Sequence, residues 1–143
     1  KEKAPAAMCR KVAEQENGGS MEVWGDGLQT RSFLYVSECV EAVLRLMKSD
    51  FTGPVNIGSE EMVSINDLAQ IAIDASGKDL SIHNIDGQEF VSKYGFDCPL
   101  GVKGRNSHNK LFREKVGWEV SRSLKDGMLA TYSWIDEQVK NSK

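Results

Sequence analysis

One stretch in the first half of the chain has the apolar spacing of an amphipathic helix. Its apolar residues recur at positions i, i+3, i+4 and i+7, and charged residues fall between them. We expect this apolar stripe to be buried, because a surface helix of a globular protein turns its apolar face to the core. Ser37 precedes the stripe and is predicted to cap the helix. The stripe consists of Val40, Val43, Leu44 and Met47.

A second stretch has the same spacing between stronger start and stop signals. Ser64 and Asp67 resemble a capping box at a helix start, and Gly77 marks the end of the helix. The sequence therefore predicts another amphipathic helix with one buried face. Its apolar stripe consists of Ile65, Leu68, Ala69 and Ala72.

Three further helices are predicted. Residues 4 to about 14 are good helix formers, with Pro5 in the first turn, where a missing N–H group costs nothing. A short helix is predicted near residues 109–116, and a final one runs from residue 123 to about 139. The inward positions of the final helix are Leu124, Met128, Thr131 and Ile135.

Short strands are predicted between these helices. Alternating or β-branched residues indicate strands at 21–24 and 80–85, an extended segment at 31–36, and a short buried strand within 53–59. Residues 86–104 contain five breakers and are predicted to form a long, partly mobile loop. The breakers are Gly87, Gly95, Pro99, Gly101 and Gly104.

The composition is that of an ordinary globular domain. The 143 residues include 18 Lys and Arg against 21 Asp and Glu, for a net charge of −3, and 40% are hydrophobic. We expect one domain over residues 1–143. No apolar run approaches the ~20 residues of a membrane span, and the scattered cations form no stripe with aromatic residues. Neither a membrane nor a nucleic acid is therefore expected as a partner.

The cysteines and histidines exclude two other classes of site. Cys9, Cys39 and Cys98 are odd in number and widely spaced, which favours free thiols in a reducing compartment such as the cytoplasm. His83 and His108 have no cysteine or carboxylate at ligand spacing, so we expect no metal site.

Two arginines are candidates for binding an anion. The turn at residues 25–27 delivers Gln29 and Arg31 to one place, and a guanidinium offers paired donors to a phosphate. Arg105 precedes a short predicted helix, whose free N–H groups also favour negative charge. The sequence predicts that the two arginines bind a diphosphate from two sides. From the residues alone, a solvated surface position for each arginine is about equally compatible.

Lys3 is a candidate acid or base. It stands directly ahead of the first predicted helix, whose positive end favours loss of a proton from a nearby ammonium group. The alternative is a mobile, solvated lysine, which is the more common role of such a residue near the start of a chain.

The order of these motifs resembles a known family. Residues 25–36 read Gly-x-Gly-x-Gln-x-Arg-x-Phe-x-Tyr-Val, and they are followed by a helix, by Asn-Ile-Gly at 56–58, by Arg105 and by Lys-Val-Gly-Trp at 115–118. This order resembles the C-terminal substrate domain of the extended short-chain dehydrogenase/reductases, a family of nucleotide-sugar epimerases and dehydratases. Phrases at 2–11, 24–33, 38–41 and 104–107 are similar to the branch that epimerises GDP-mannose at C3 and C5.

The resemblance implies an α/β fold and a division of labour. It implies a small mixed sheet with flanking helices, forming the C-terminal, substrate-binding portion of a Rossmann-type enzyme. The dinucleotide-binding half, which holds NAD, is implied to be absent from this chain. The full-length enzyme is implied to be a homodimer that takes a GDP-sugar as its substrate.

The resemblance also implies a mechanism with assigned residues. In that family NAD transiently oxidises the hexose at C4, an acid/base pair inverts C5 and C3, and the hydride is returned. Lys3 matches the catalytic lysine of the pair. The positions that match substrate contacts are Glu2, Ala4 and Lys11, the diphosphate-binding segment Gln29, Thr30 and Arg31, and the second arginine, Arg105.

Several departures from the family pattern leave alternatives open. The chain has no glycine-rich NAD loop, no Tyr-x-x-x-Lys pair and no catalytic-cysteine motif, so neither Cys9 nor Cys39 is given that role. We therefore expect this chain alone to be inactive, one piece of something longer, with exposed apolar surface where the other half docks. The alternatives are a UDP- or dTDP-sugar epimerase or dehydratase domain, and a truncated, non-catalytic interaction module.

Overall fold

The computed structural model describes residues 2–99 and 101–142, in which helices alternate with short strands. The mixed α/β class predicted from the resemblance is confirmed. In chain order the elements are α1 (Ala4–Glu14), β1 (Ser20–Trp24), β2 (Thr30–Ser32), α2 (Val36–Met47), β3 (Met62–Ser64), α3 (Ile65–Ser76), β4 (Ser81–Ile85), α4 (Gly87–Tyr94), β5 (Gly104–Arg105), α5 (Lys110–Val116) and α6 (Leu124–Asn141).

The strands form two small sheets. In one, β1 and β4 pair in parallel, from Ser20 opposite Ser81 to Trp24 opposite Ile85. In the other, β2 lies between β3, which is antiparallel to it, and β5, which is parallel. Both predicted strands, at 21–24 and 80–85, are thus confirmed to within a residue at their starts.

The main core lies between α1, α3 and α6. α1 has the predicted bounds. Its C-terminal end is held by Lys78, whose Nζ donates to the carbonyl oxygens of Val12, Ala13 and Gln15. α3 begins with the predicted capping box of Ser64 and Asp67 and ends at Gly77. The largest fully buried side chains of this core are Met21, Leu68, Met128, Val12, Val23 and Cys9.

The prediction for α2 is wrong in two respects. Tyr35, without a side-chain hydrogen bond, occupies the N-cap position, and Ser37 lies one residue inside the first turn. The apolar stripe is also exposed: Val40, Val43, Leu44 and Met47 retain between 41% and 76% of their accessible surface. The reason is that α2 packs by its opposite edge, where Ala42 is fully buried, and no described residue covers the stripe.

The strand predicted within 53–59 does not form among the described residues. The segment has no regular secondary structure, and Val55 and Ile57 pack on a small second cluster centred on Ala42, Phe112 and Trp118. A strand also needs a hydrogen-bonding neighbour, and no described strand lies beside this segment.

The long loop predicted at 86–104 is wrong in part, because α4 lies within it. Gly87 and Gly95 bound the helix instead of interrupting it, and Gly95 ends it in a left-handed conformation. Phe90 is buried in the middle of α4, against the rings of Trp24 and Tyr94. Gly104, the last residue of the predicted loop, begins β5. Leu100 lies outside the described residues.

The two C-terminal helices confirm their predictions with small changes. α5 and α6 have nearly the expected bounds, and Ser123 caps α6. Leu124, Met128 and Ile135 are buried as predicted, but Tyr132 takes the buried position expected for Thr131. No helix within the described ranges is long and apolar enough to cross a membrane.

Candidate functional site

Arg31 and Arg105 line one open cleft. They are register partners in the parallel pair of β2 and β5, which places both side chains at the same point of the sheet. The cleft has a volume of about 320 Å³. Its other lining residues are Ser32, Leu34, Asn56, Ile57, Gly58, Ser59, Asn106 and Ser107.

Both guanidinium groups are available to an anion. Arg31 donates from Nη1 to the Thr30 carbonyl at 2.7 Å, and no carboxylate within residues 2–99 and 101–142 forms an ion pair with either arginine. Gly101 lies against Arg31, since a Cβ there would stand 3.1 Å from Nη2. The cleft therefore holds two positive charges without a described counter-ion.

Asparagine side chains hold the turn that precedes β2. Asn66 Nδ2 donates to the Asp26 carbonyl and Asn84 Nδ2 to the Gly25 carbonyl, each at 3.0 Å. Gly27 has a positive φ of 69°, and a Cβ on it would lie 1.9 Å from Asn66 Oδ1, so the turn requires glycine there. Gln29 Nε2 donates to Asp26 Oδ1 at 3.0 Å, which fixes that predicted site residue beside Thr30 and Arg31.

A second polar group holds the segment of Arg105. Asn109 Nδ2 donates to the Gly58 carbonyl at 3.0 Å, and Ser107 Oγ donates to Asn109 Oδ1 at 2.7 Å. A Cβ on Gly58 would stand 2.5 Å from Ser107 Cβ, so the two segments are in close contact. Sequence reasoning missed Asn109, because nothing in the spacing links it to a residue some fifty positions earlier.

Lys11 is half-buried beside β1. Its Nζ donates to the Glu22 carbonyl at 2.8 Å and lies 5.7 Å from the centre of the Trp24 ring. Burial lowers the pKa of Lys11, against the opposing effect of the nearby Glu22 carboxylate. Lys11 is the predicted site lysine that is partly removed from solvent.

Glu22 joins β1 to α4. Its carboxylate accepts hydrogen bonds from Lys93, from the Tyr94 hydroxyl and from Trp24 Nε1. Burial acts to raise the pKa of Glu22, but these three donors outweigh it and the pKa lies below its usual range. The sequence did not suggest this group, because Lys93 and Tyr94 fell in a predicted loop.

The three predicted residues at the start of the chain lie around the N-terminus of α1. Lys3 is the exposed N-cap residue of α1, and Glu2 forms an exposed ion pair with Arg10 at 2.8 Å. Ala4 is half-buried against the main core. Pro5 borders a small cavity with residues 33–36, directly after β2, but no described contact joins Lys3 or Glu2 to the arginine cleft.

The remaining candidate groups do not form a site. The thiols of Cys9, Cys39 and Cys98 are free, and burial raises the pKa of the Cys9 thiol to about 11. His83 pairs with Glu89 at 2.9 Å on the surface. Within the part of the chain that the structure describes, no group of His, Cys, Asp and Glu has the arrangement of a metal site.

Comparisons with known proteins find relatives that match most or all of the chain. The family model for GDP-mannose 4,6 dehydratase matches residues 2–131. GDP-mannose 3,5-epimerase 1 of Oryza sativa subsp. indica and GDP-mannose 3,5-epimerase of Arabidopsis thaliana are each 52% identical over 143 residues, covering 100% of this chain and 34% of the relative. The chain thus spans about a third of the length of these relatives.

Solved structures share the fold at lower identity. A mutant UDP-glucuronic acid 4-epimerase from Bacillus cereus, in complex with UDP-4-deoxy-4-fluoro-glucuronic acid and NAD, has a TM-score of 0.77 and 22% identity, covering 96% of this chain and 40% of its own. RMD from Pseudomonas aeruginosa, complexed with NADPH, has a TM-score of 0.77 and 20% identity, covering 95% of this chain and 43% of its own.

Proposed function

The chain belongs to the GDP-mannose 4,6 dehydratase family of proteins, and from that premise we propose that it is the substrate-binding portion of an NAD-dependent epimerase acting on GDP-mannose. The reaction proposed is inversion at C3 and C5 after transient oxidation at C4. The single observation that carries the proposal is the placement of Arg31 and Arg105 in one cleft without described carboxylate partners.

The cleft suits a nucleoside diphosphate. A diphosphate carries adjacent negative charges, and two guanidinium groups bind such oxygens through paired hydrogen bonds better than ammonium groups do. Gln29 and Thr30 immediately precede Arg31 and are proposed to contact the diphosphate as well, although neither lines the cleft in this structure. The asparagines hold the turn at residues 25–27, so the backbone that leads into Arg31 is ordered before a ligand binds.

We assign the sugar end of the substrate to the start of α1. Lys3, at the positive end of this helix, is the proposed proton donor for the inverted carbon. Glu2, Ala4 and Lys11 are proposed to line the hexose. NAD, when bound by the rest of the protein, supplies the reversible hydride removal at C4, and no described residue is assigned to holding it.

The exposed stripe of α2 supports a place for the dinucleotide-binding portion. Val40, Val43, Leu44 and Met47 form a continuous apolar face, and the segment at 54–57, which packs on the same cluster as α2, pairs with no described strand. Since the relatives are about three times as long, we propose that their additional portion covers this stripe and supplies a strand that pairs with residues 54–57. A homodimer and a cytoplasmic location belong to the same proposal for the full-length enzyme.

Binding of GDP to this chain tests the diphosphate assignment. We expect Arg31→Ala and Arg105→Ala each to weaken GDP at least about tenfold in titration calorimetry, because each removes a charge-assisted contact. Arg45→Ala is the matched control, since Arg45 pairs with Glu41 on α2, away from the cleft. Equal affinities for all four proteins would refute the assignment.

Catalysis and docking are tested separately. The chain alone, given NAD and GDP-mannose, is expected to show no turnover, and measurable turnover would refute the need for the additional portion that the relatives have. We also expect the chain to bind a hydrophobic dye through the exposed α2 stripe. The Leu44→Glu variant should bind less of this dye. A monomer that binds no dye would remove the support for docking at α2.

A second candidate is a UDP- or dTDP-sugar enzyme. It is favoured by 31% identity to UDP-glucuronic acid decarboxylase 6 of Arabidopsis thaliana over 82% of this chain. Competition between GDP and UDP for the full-length protein separates the two, and a preference for UDP would exclude GDP-mannose as the substrate.

A non-catalytic interaction module is distinguished by the coding sequence upstream of Lys1, where the enzyme requires a glycine-rich loop and a Tyr-x-x-x-Lys pair.

A further inference from the structure

Asn109 is a buried polar residue beside the arginine cleft. It retains 7% of its accessible surface, and both ends of its amide are used. The oxygen accepts from Ser107 Oγ and the nitrogen donates to the Gly58 carbonyl. A buried amide with this arrangement is costly to disturb, because removing it leaves two polar partners without a hydrogen bond.

The side chain of Asn109 does not serve the helix that it precedes. Asn109 occupies the N-cap position of α5, where an asparagine ordinarily accepts from an amide of the first turn. Here it makes no such bond. Its own backbone N–H donates to Glu60 Oε1 at 2.8 Å, and its amide points back to Gly58 and Ser107.

These two partners belong to the cleft. Gly58 and Ser107 both line it, and Ser107 follows Arg105 by two residues. Asn109 therefore joins the wall that carries Arg105 to the wall formed by residues 56–59. The close contact of Gly58 with Ser107 leaves no room for a side chain between these walls.

We propose that Asn109 is a positioning residue for Arg105. By holding Ser107 against Gly58, it fixes the backbone of residues 105–107 and so the place at which Arg105 meets a diphosphate opposite Arg31. The proposal rests on the proposed function for the identity of the ligand. The ordering of residues 105–107 by Asn109 is independent of any ligand.

The first test measures that ordering. Asn109→Ala is expected to speed hydrogen exchange of the Arg105 and Ser107 amides at least about tenfold, while amides of α3 are unchanged. The matched control is Ser123→Ala, which removes the side chain at the N-cap of α6, away from the arginine cleft. Unchanged exchange at residues 105–107 in a folded Asn109→Ala protein would overturn the proposal. If this variant does not fold, Ser107→Ala removes one of the same bonds and takes its place.

The second test measures coupling with GDP as the probe. Asn109→Ala is expected to weaken GDP about tenfold in the native chain and to have no effect in an Arg105→Ala background, since it acts through that arginine. The same tenfold loss in both backgrounds would overturn the route through Arg105. If the native chain does not bind GDP, the proposed function fails, and hydrogen exchange still decides whether Asn109 orders the segment.

Discussion

α2 and α3 are both twelve-residue helices with one apolar stripe, yet their stripes have opposite surroundings. In α3, Leu68, Ala69 and Ala72 are completely buried. In α2, the least exposed residue of the stripe, Val43, still retains 41% of its accessible surface. An apolar stripe therefore identifies a helix face that packs against another element. It does not identify that element, or show whether this chain supplies it.

Neighbouring elements explain the difference. α3 lies against α1 and α6, which supply apolar surface from both ends of the chain. Within the described residues, α2 meets the small cluster of Phe112 and Trp118 through its edge at Ala42 and Leu46. Its N-terminal turn is tied down by a polar residue instead, because buried Glu38 accepts from the Ser121 and Arg122 amides and from Ser121 Oγ.

The largest expected effect contrasts the two stripes directly. Leu68→Ala should lower the free energy of unfolding by about 3 kcal/mol, because it leaves a cavity in a closed core. Leu44→Ala, the same substitution on α2, should change it by less than about 0.5 kcal/mol, since the side chain is half exposed. Urea unfolding of both variants measures the two values. Similar losses at every protein concentration would show that this chain covers the α2 stripe itself.

A smaller effect concerns the acid that ties down α2. Burial acts to raise the pKa of Glu38, but the hydrogen bonds from Ser121 and Arg122 outweigh it, so the pKa lies below its usual range. A carboxyl with a lower pKa in the folded state stabilises the fold above its unfolded pKa of about 4.3, and this contribution is lost as the pH falls through the folded pKa.

Glu38→Gln should therefore cost about 1.5–3 kcal/mol at pH 7, the value of hydrogen bonds to a charged group. The difference from the unsubstituted chain should shrink as the pH falls below about 4. Urea unfolding of both proteins between pH 7 and pH 3 measures it. A difference that stays constant over this range would mean that the charge of Glu38 does not contribute.

The smallest expected effect on stability is the difference between the two predicted N-cap serines, Ser64 and Ser37. Ser64→Ala should cost about 1 kcal/mol, because the Ser64 hydroxyl accepts from the Asp67 amide at 3.0 Å. Ser37→Ala should have little effect, since Ser37 lies inside the first turn of α2 and caps nothing. Thermal unfolding resolves a difference of this size. An equal cost at both positions would contradict the assignment of the α2 N-cap to Tyr35.

The candidate site was predictable where local chemistry marks it. The sequence predicts that Arg31 and Arg105 act together, because each follows a glycine-containing segment with polar neighbours. Asn66, Asn84 and Asn109, which hold these segments, carry no local signal, because their partners lie far away in sequence.

Several local elements of this protein are predictable from its amino-acid sequence alone. The start of α1 near Pro5 and the capping box of α3 depend on interactions within a few residues, and the alternation of β1 and β4 is visible in the sequence. The tertiary structure sets which stripe is buried, leaves no described strand beside residues 54–57, and gives the strand register that aligns Arg31 with Arg105. These features depend on contacts between distant segments, and no local preference encodes which partner is present.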